Sequence, residues 1–185
     1  MSAPPAVPDA DRVEAAVLAG VRDVPGFPQP GVVFKDITPL LADPEAFGLV
    51  VAALADLARS VGASAVAGVE ARGFMLAAPA AERARLAFWP VRKAGKLPGA
   101  VLRREYALEY GTAALELSAD AARAGERVLV VDDVLATGGT ALAACELIEE
   151  AGAQVAAFAV LLELAALGGR PRLGERPVVA LHTAP

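Results

Sequence analysis

The segment RVLVVDD, residues 127–133, running on through VLATGGT to Thr140, constrains the fold more than any other part of the chain. Consecutive aliphatic residues with no polar alternation suit a strand buried on both faces, as at the centre of a parallel sheet. A parallel strand must be followed by a crossover, and GGTALAACELIEEAG (138–152) offers an amphipathic helix for it. The two acids, Asp132 and Asp133, then close the strand where open α/β sheets bind their ligands.

The rest of the chain fits the same plan. A helix from Asp9 or Asp11, either of which can cap it, runs to about Val21. Residues 1–8, small and Pro-rich, are expected to be disordered. DVPGFPQPG (23–31) forbids a helix, and leads to a short apolar run ending at Lys35-Asp36. Asp43-Pro44 opens a helix that ends before Gly62. SAVAGV (64–69) and LAFWPV (86–91) read as strands on either side of a helix at 73–83. RKAGKLPG is expected as a cationic loop, and VLRREYALEYGTAALEL as two strands or a long hairpin. QVAAFAVLLEL is a further strand, residues 168–177 a loop, and PVVALH a last short strand. Strands alternating with helices predict an α/β fold: a mostly parallel central sheet flanked by helices. One domain over residues 1–185 is expected, since no internal repeat or composition break divides them.

A net charge of −5 gives no general reason to bind nucleic acid or an anionic membrane. Any anion site must be a local cluster of donors. No basic-then-apolar leader opens the chain, and the longest apolar runs are too short to span a bilayer. The expectation is a cytoplasmic protein with neither a membrane nor a nucleic acid as partner. Cys145, the one cysteine, has no metal-ligand spacing around it and falls in an apolar helical pattern, so a buried structural thiol is expected.

The segment 136–140 carries the most specific chemistry. Gly138 and Gly139 let backbone amides turn toward an anion. The new helix adds its free N–H groups and the positive end of its dipole. Thr137 and Thr140 add hydroxyl donors. The dipole is worth only about 0.3–1 kcal/mol at an exposed site, so such a cradle works through several directed hydrogen bonds. Asp132 and Asp133 repel phosphate but accept hydrogen bonds from vicinal hydroxyls. Acids beside a phosphate cradle therefore suggest a sugar phosphate. No Gly-Lys-Ser/Thr and no GxGxxG is present, so the loop is neither a P-loop nor a dinucleotide fingerprint.

Two other loops follow strands. GVEARGF (68–74) holds Arg72, whose planar fork suits phosphate oxygens. Arg92, Lys93 and Lys96 crowd together in a net-acidic chain. A clamp on a departing polyanion explains them.

Val130–Thr140 resembles the signature of the type I phosphoribosyltransferase family, which uses phosphoribosyl pyrophosphate (PRPP). GVEARGF, VRKAGKLPG and FPQPGVVFKDIT (27–38) resemble its adenine-using branch. The resemblance implies that Ala136, Thr137, Gly138, Gly139 and Thr140 hold the 5-phosphate, and Asp132 and Asp133 the ribose hydroxyls. It implies that Arg72, Arg92, Lys93 and Lys96 contact pyrophosphate, Arg72 with a catalytic part. It makes 23–38 a base-binding hood, in which Val33 and Lys35 offer backbone contacts to adenine and Phe34 stacks on it, with Leu164 as the other wall. Backbone readout fits adenine, because a 6-oxo purine would set acceptor against acceptor. YALEYGT (106–112) matches the family's mobile catalytic loop within a flexible stretch 92–117. Glu109 is the expected proton carrier and Tyr110 its loop neighbour. Mg²⁺ arriving with PRPP, adenine, AMP and pyrophosphate as small-molecule partners, and a homodimer complete what the resemblance implies.

The sequence departs from the family pattern in details: Lys35 where Arg is frequent, Gln29 in the Pro-x-Pro turn, and an unfamiliar tail, GGRPRLGERPVVALHTAP. Two rival readings remain open: a transferase for another base, and a non-catalytic PRPP-sensing regulator. The hood segment argues against the first, and a short acidic chain without a partner module against the second.

Overall fold

The computed structural model describes residues 5, 7, 9–107, 112–121 and 124–185. The elements in chain order are α1 (Ala10–Gly20), β1 (Arg22–Pro25), β2 (Val33–Asp36), α2 (Thr38–Ala42), α3 (Pro44–Ser60), β3 (Ala65–Val69), α4 (Arg72–Ala84) and β4 (Ala87–Lys93). There follow β5 (Val101–Ala107), β6 (Thr112–Ser118), β7 (Arg127–Leu135), α5 (Gly139–Glu150), β8 (Gln154–Leu164) and β9 (Val178–Ala184). Two short 3-10 turns, Ala165–Leu167 and Arg170–Leu173, join the last two strands.

Seven strands form one sheet in the order β5-β6-β4-β3-β7-β8-β9. The strands β4, β3, β7, β8 and β9 pair in parallel, and the β5–β6 hairpin extends the β4 edge antiparallel. The α/β architecture expected from the sequence is therefore the one observed. Strand periodicity sends alternate side chains to opposite faces. Leu129 and Val131 of β7 join Ala157, Ala159 and Leu161 of β8 on the face covered by α1, α3 and α4. Val128 and Val130 join Phe158 and Val160 on the face covered by α5. Both faces are dry, which is why these strands read as unbroken apolar runs. Phe158 is the largest fully buried side chain, and its truncation to Ala would cost about 3–5 kcal/mol.

Asp43 caps α3 as expected, accepting from the amides of Glu45 at 2.9 Å and Ala46 at 3.1 Å. Other local expectations need correction. Asp9 holds the cap position of α1, but its side chain makes no capping bond. The stretch 22–36 is a two-stranded antiparallel ribbon, β1 with β2, whose turn absorbs the prolines. The helix α2 was not expected, and residues 168–177 contain a 3-10 turn rather than loop alone. Two corrections touch the site. The strand β4 runs on to Lys93, so Arg92 and Lys93 sit on a strand held by β6 rather than in the loop. The strand β7 continues to Leu135, so Asp132 and Asp133 lie within it rather than closing it. Pairing with β8 through Leu162 and Glu163 carries β7 past the acids. The expected disordered start lies mostly outside the described residues. No helix among the described residues is long and apolar enough to cross a membrane.

Candidate active site

A cleft of about 610 Å³ opens at the carboxyl ends of β3 and β7, beneath the β1–β2 ribbon. Its floor is the exit of β7 and the start of α5: Asp132, Asp133 and the run from Val134 to Ala141. Gly138 takes a left-handed conformation, φ 83°, that glycine adopts without strain. It stands at the cap position of α5 with no side chain to bond the first turn. The first-turn amides, which have no partner within a helix, thus open onto the cleft beside Thr137 and Thr140.

Asp132 and Asp133 differ in setting. Asp133 is almost wholly buried, Asp132 only in part. The Asp133 amide donates to Asp132 Oδ1 at 2.9 Å, which fixes one carboxylate relative to the other. Burial, together with the charge of Asp133, pushes Asp132 well above the usual carboxylate range. Burial raises Asp133 too, against the opposing pull of the Arg72 cation. Arg72 Nε stands 2.8 Å from Asp133 Oδ2. The contact is a charge pairing without hydrogen-bond alignment, so Oδ2 is buried with no aligned donor.

Arg72 opens α4 and reaches in two directions. Its guanidinium lies over the Phe34 ring, 4.6 Å from the centroid, a cation–π distance. Its Nη1 donates to the carbonyl oxygen of Lys35 at 3.2 Å. One face of Phe34 is therefore covered by Arg72, and Phe27 meets the ring edge-on at 5.1 Å. Close passage of α4 over β7 makes this reach feasible. A Cβ on Gly73 would lie 2.7 Å from the Val131 carbonyl oxygen and 3.1 Å from Asp132 Oδ1.

Glu70, which no sequence signal singles out, organises the cationic strand end. Its Oε1 accepts from Lys96 Nζ at 2.6 Å and its Oε2 from the Lys93 amide at 2.9 Å, with Arg92 Nε at 3.4 Å. Arg92 Nη1 donates to the Lys96 carbonyl oxygen at 2.9 Å. Buried Glu116 accepts from the Gly95 amide at 2.8 Å, closing the same turn. Partial burial alone would raise the Glu70 carboxyl, but the Lys96 and Lys93 donors and the nearby Arg92 cation outweigh it and hold it at about 2.

The cleft thus gathers Phe34, Arg72, Lys93, Asp132, Asp133 and the run Ala136–Thr140. Arg92 and Lys96 stand outside its lining, bound to Glu70. Lys35 turns its side chain away to Asp23, at 2.7 Å, and Val33 is exposed on the ribbon. Leu164 packs against the core on the α1 face rather than lining the cleft. Glu109 and Tyr110 lie outside the described residues. Tyr106, which begins the YALEYGT segment and was given no role, lines the cleft. A Tyr following an acid in a strand is too common a pattern to single out beforehand.

A mostly parallel sheet with paired acids, a glycine turn opening a helix and a cationic turn gathered at its carboxyl edge places this chain among the α/β proteins that bind their ligands at that edge. The chain belongs to the phosphoribosyl transferase family: the family model for the phosphoribosyl transferase domain matches residues 40–177. The chain is similar to proteins named adenine phosphoribosyltransferase. It is 83% identical over 177 residues to that of Kineococcus radiotolerans, with 96% of each chain covered. The crystal structure of the Rhodothermus marinus enzyme superposes with a TM-score of 0.88 at 43% identity, covering 94% of this chain and 99% of that one. The Saccharomyces cerevisiae enzyme, complexed with an imino-altritol bisphosphate and adenine, gives 0.87 at 35% identity, covering 93% and 99%.

Proposed function

We propose that the chain transfers the phosphoribosyl group of PRPP to adenine, giving AMP and pyrophosphate. The observation that carries this reading is the meeting, in one cleft, of the cradle 136–140, the paired acids and the Phe34–Arg72 stack beneath the ribbon.

The residues take roles by position. The 5-phosphate is held by the amides and hydroxyls of Ala136–Thr140, and the ribose hydroxyls by Asp132 and Asp133. Adenine enters under the ribbon at Phe34, with the Val33 and Lys35 backbone as readers. The Lys35 carbonyl accepts from Arg72 with one lone pair, which leaves the other for an exocyclic amine. The C1–pyrophosphate oxygen bond breaks with its electron pair leaving on pyrophosphate, and N9 of adenine bonds C1. The N9 proton passes to Glu109. Lys93 faces the leaving group directly. Arg92 and Lys96 reach it when Glu70 yields them. Arg72 contributes by joining the base and ribose subsites. Positioning and electrostatics supply most of the rate.

Magnesium, when bound with PRPP, neutralises pyrophosphate charge. The residues fit that use: Asp132 and Asp133 put carboxylates beside the cradle, where they would accept hydrogen bonds from the waters such an ion carries. Mg²⁺ keeps several waters and substrate phosphates as ligands, so substrate oxygens would hold it. The working assembly in this reading is a homodimer, to be checked by sedimentation.

The test is pyrophosphate release from PRPP and Mg²⁺ with adenine, hypoxanthine, guanine, xanthine or orotate supplied separately. Release with adenine alone, with AMP formed, is the expected result. Turnover of another base would overturn the hood assignment. PRPP binding without any turnover would point to a regulator.

A further inference from the structure

The segment joining β8 to β9 lines no part of the cleft, yet it lies against the cradle. Gly169 has ordinary helical angles, φ −72° and ψ −36°, which any residue adopts. Its lack of a side chain is explained by space. A Cβ there would stand 2.2 Å from the Ala136 carbonyl oxygen and 3.0 Å from the Gly138 amide nitrogen. Conversely, a Cβ on Gly138 would stand 2.6 Å from the Gly169 carbonyl oxygen. Two backbones pass in direct contact where the cradle turns into α5. Arg172 Nη1 adds a hydrogen bond to the Thr137 carbonyl oxygen at 3.3 Å.

The segment is itself fixed on three sides. Arg170 grips buried Glu163 of β8, through Nε at 2.9 Å and through Nη2, and its Nη1 donates to the Val178 carbonyl of β9 at 2.8 Å. Leu173 is fully buried in the cluster under α5. Arg176 forks onto Glu149 of α5, with bonds of 2.7 and 2.6 Å. A strut anchored to β8, β9 and α5 thus presses a bare backbone on the loop between β7 and α5.

We propose that Gly169, set in place by the Arg170–Glu163 pair, is a positioning residue for phosphate binding. It fixes the backbone of Ala136–Gly138 at the spacing a phosphate monoester needs. This rests on the reading of 136–140 as the phosphate cradle. A displacement of about 1 Å in binding groups can cost about a hundredfold, and a Cβ at Gly169 forces the Ala136 carbonyl to move.

The test compares AMP with adenosine, which differ only in the phosphate. Gly169→Ala in the full chain is expected to weaken AMP binding and raise KM for PRPP by about tenfold or more. Adenosine affinity and kcat at saturating PRPP stay near those of the unmodified protein, while the melting temperature falls by a few degrees as the crowded backbone shifts. Equal losses for AMP and adenosine, or no loss for either, would overturn the proposal. Should Gly169→Ala fail to fold, Arg170→Lys takes its place, since Lys keeps the charge but not the planar fork. A smaller loss confined to AMP is then expected, and a parallel loss or none would overturn it. If the unmodified protein binds AMP no better than adenosine, the cradle reading itself fails, and the proposal with it.

Discussion

Arg72 holds Asp133 at 2.8 Å while its guanidinium covers the ring of Phe34. One side chain therefore touches both the acid proposed for the sugar hydroxyls and the aromatic proposed for the base. Lys would keep the charge but neither the planar stack nor the directed bond to the Lys35 carbonyl. Arg72→Lys is expected to raise KM for adenine and KM for PRPP together, each by about tenfold, the lower end for a charge-assisted hydrogen bond. Steady-state kinetics with each substrate varied in turn checks this. A rise confined to one substrate would break the link between the two subsites.

Asp132 shows a conflict between stability and binding. Its folded-state pKa is raised by burial and by Asp133, so the folded chain holds that proton more tightly than the unfolded chain. Ionisation then destabilises the fold above the raised value, and the penalty vanishes below the usual carboxylate range. Asp132→Asn is expected to melt higher than the unmodified protein at neutral pH, with the difference fading as pH falls. It is also expected to bind AMP about tenfold to a hundredfold more weakly, the ~1.5–3 kcal/mol of a charge-assisted bond to the diol. Melting curves over a pH series, beside AMP titrations, test both halves.

Glu70 has the opposite sign. Its pKa is lowered to about 2, so its pairing with Lys96, the Lys93 amide and Arg92 stabilises the fold fully above the unfolded carboxylate value of about 4.3. That contribution is lost as pH falls through about 2. The stability gap between the unmodified protein and Glu70→Gln is expected to be widest at neutral pH and to close in this acid window. Urea denaturation at stepped pH measures it, and a gap unchanged by pH would mean that Glu70 acts through packing.

Cys145 is fully buried in α5, and burial pushes its thiol up to about 12. Since the thiolate is the reactive form, native protein is expected to resist alkylation at neutral pH and to react fully in denaturant. Labelling followed by mass measurement decides this.

The central features were legible because local chemistry and tertiary role coincide in them. The run Val128–Val131 is apolar on both faces because both faces are buried, and Gly138-Gly139-Thr140 turns sharply for reasons internal to the loop. What escaped depends on distance in space. Nothing near Glu70 in sequence announces that Lys96 folds back onto it. Arg72 looked like an anion ligand, and only the position of β2 shows that it meets Phe34 and the Lys35 carbonyl. Arg92 and Lys93 looked like loop residues because β6, which extends their strand, pairs from beyond an intervening strand. Gly169 fell in a stretch legible only as loop, since its crowding comes from Ala136, far back in the chain.

The strand order has a kinetic consequence. Ala65 of β3 pairs with Val128 of β7, although β4, β5 and β6 lie between them in the chain. Closing such a long loop must precede the contacts that reward it, and folds dominated by such pairings form slowly. The β3–β7 seam is also the one across which Arg72 faces Asp133. A half-formed sheet therefore has no half-formed catalytic centre, and during refolding activity should return in step with the last slow phase of sheet closure.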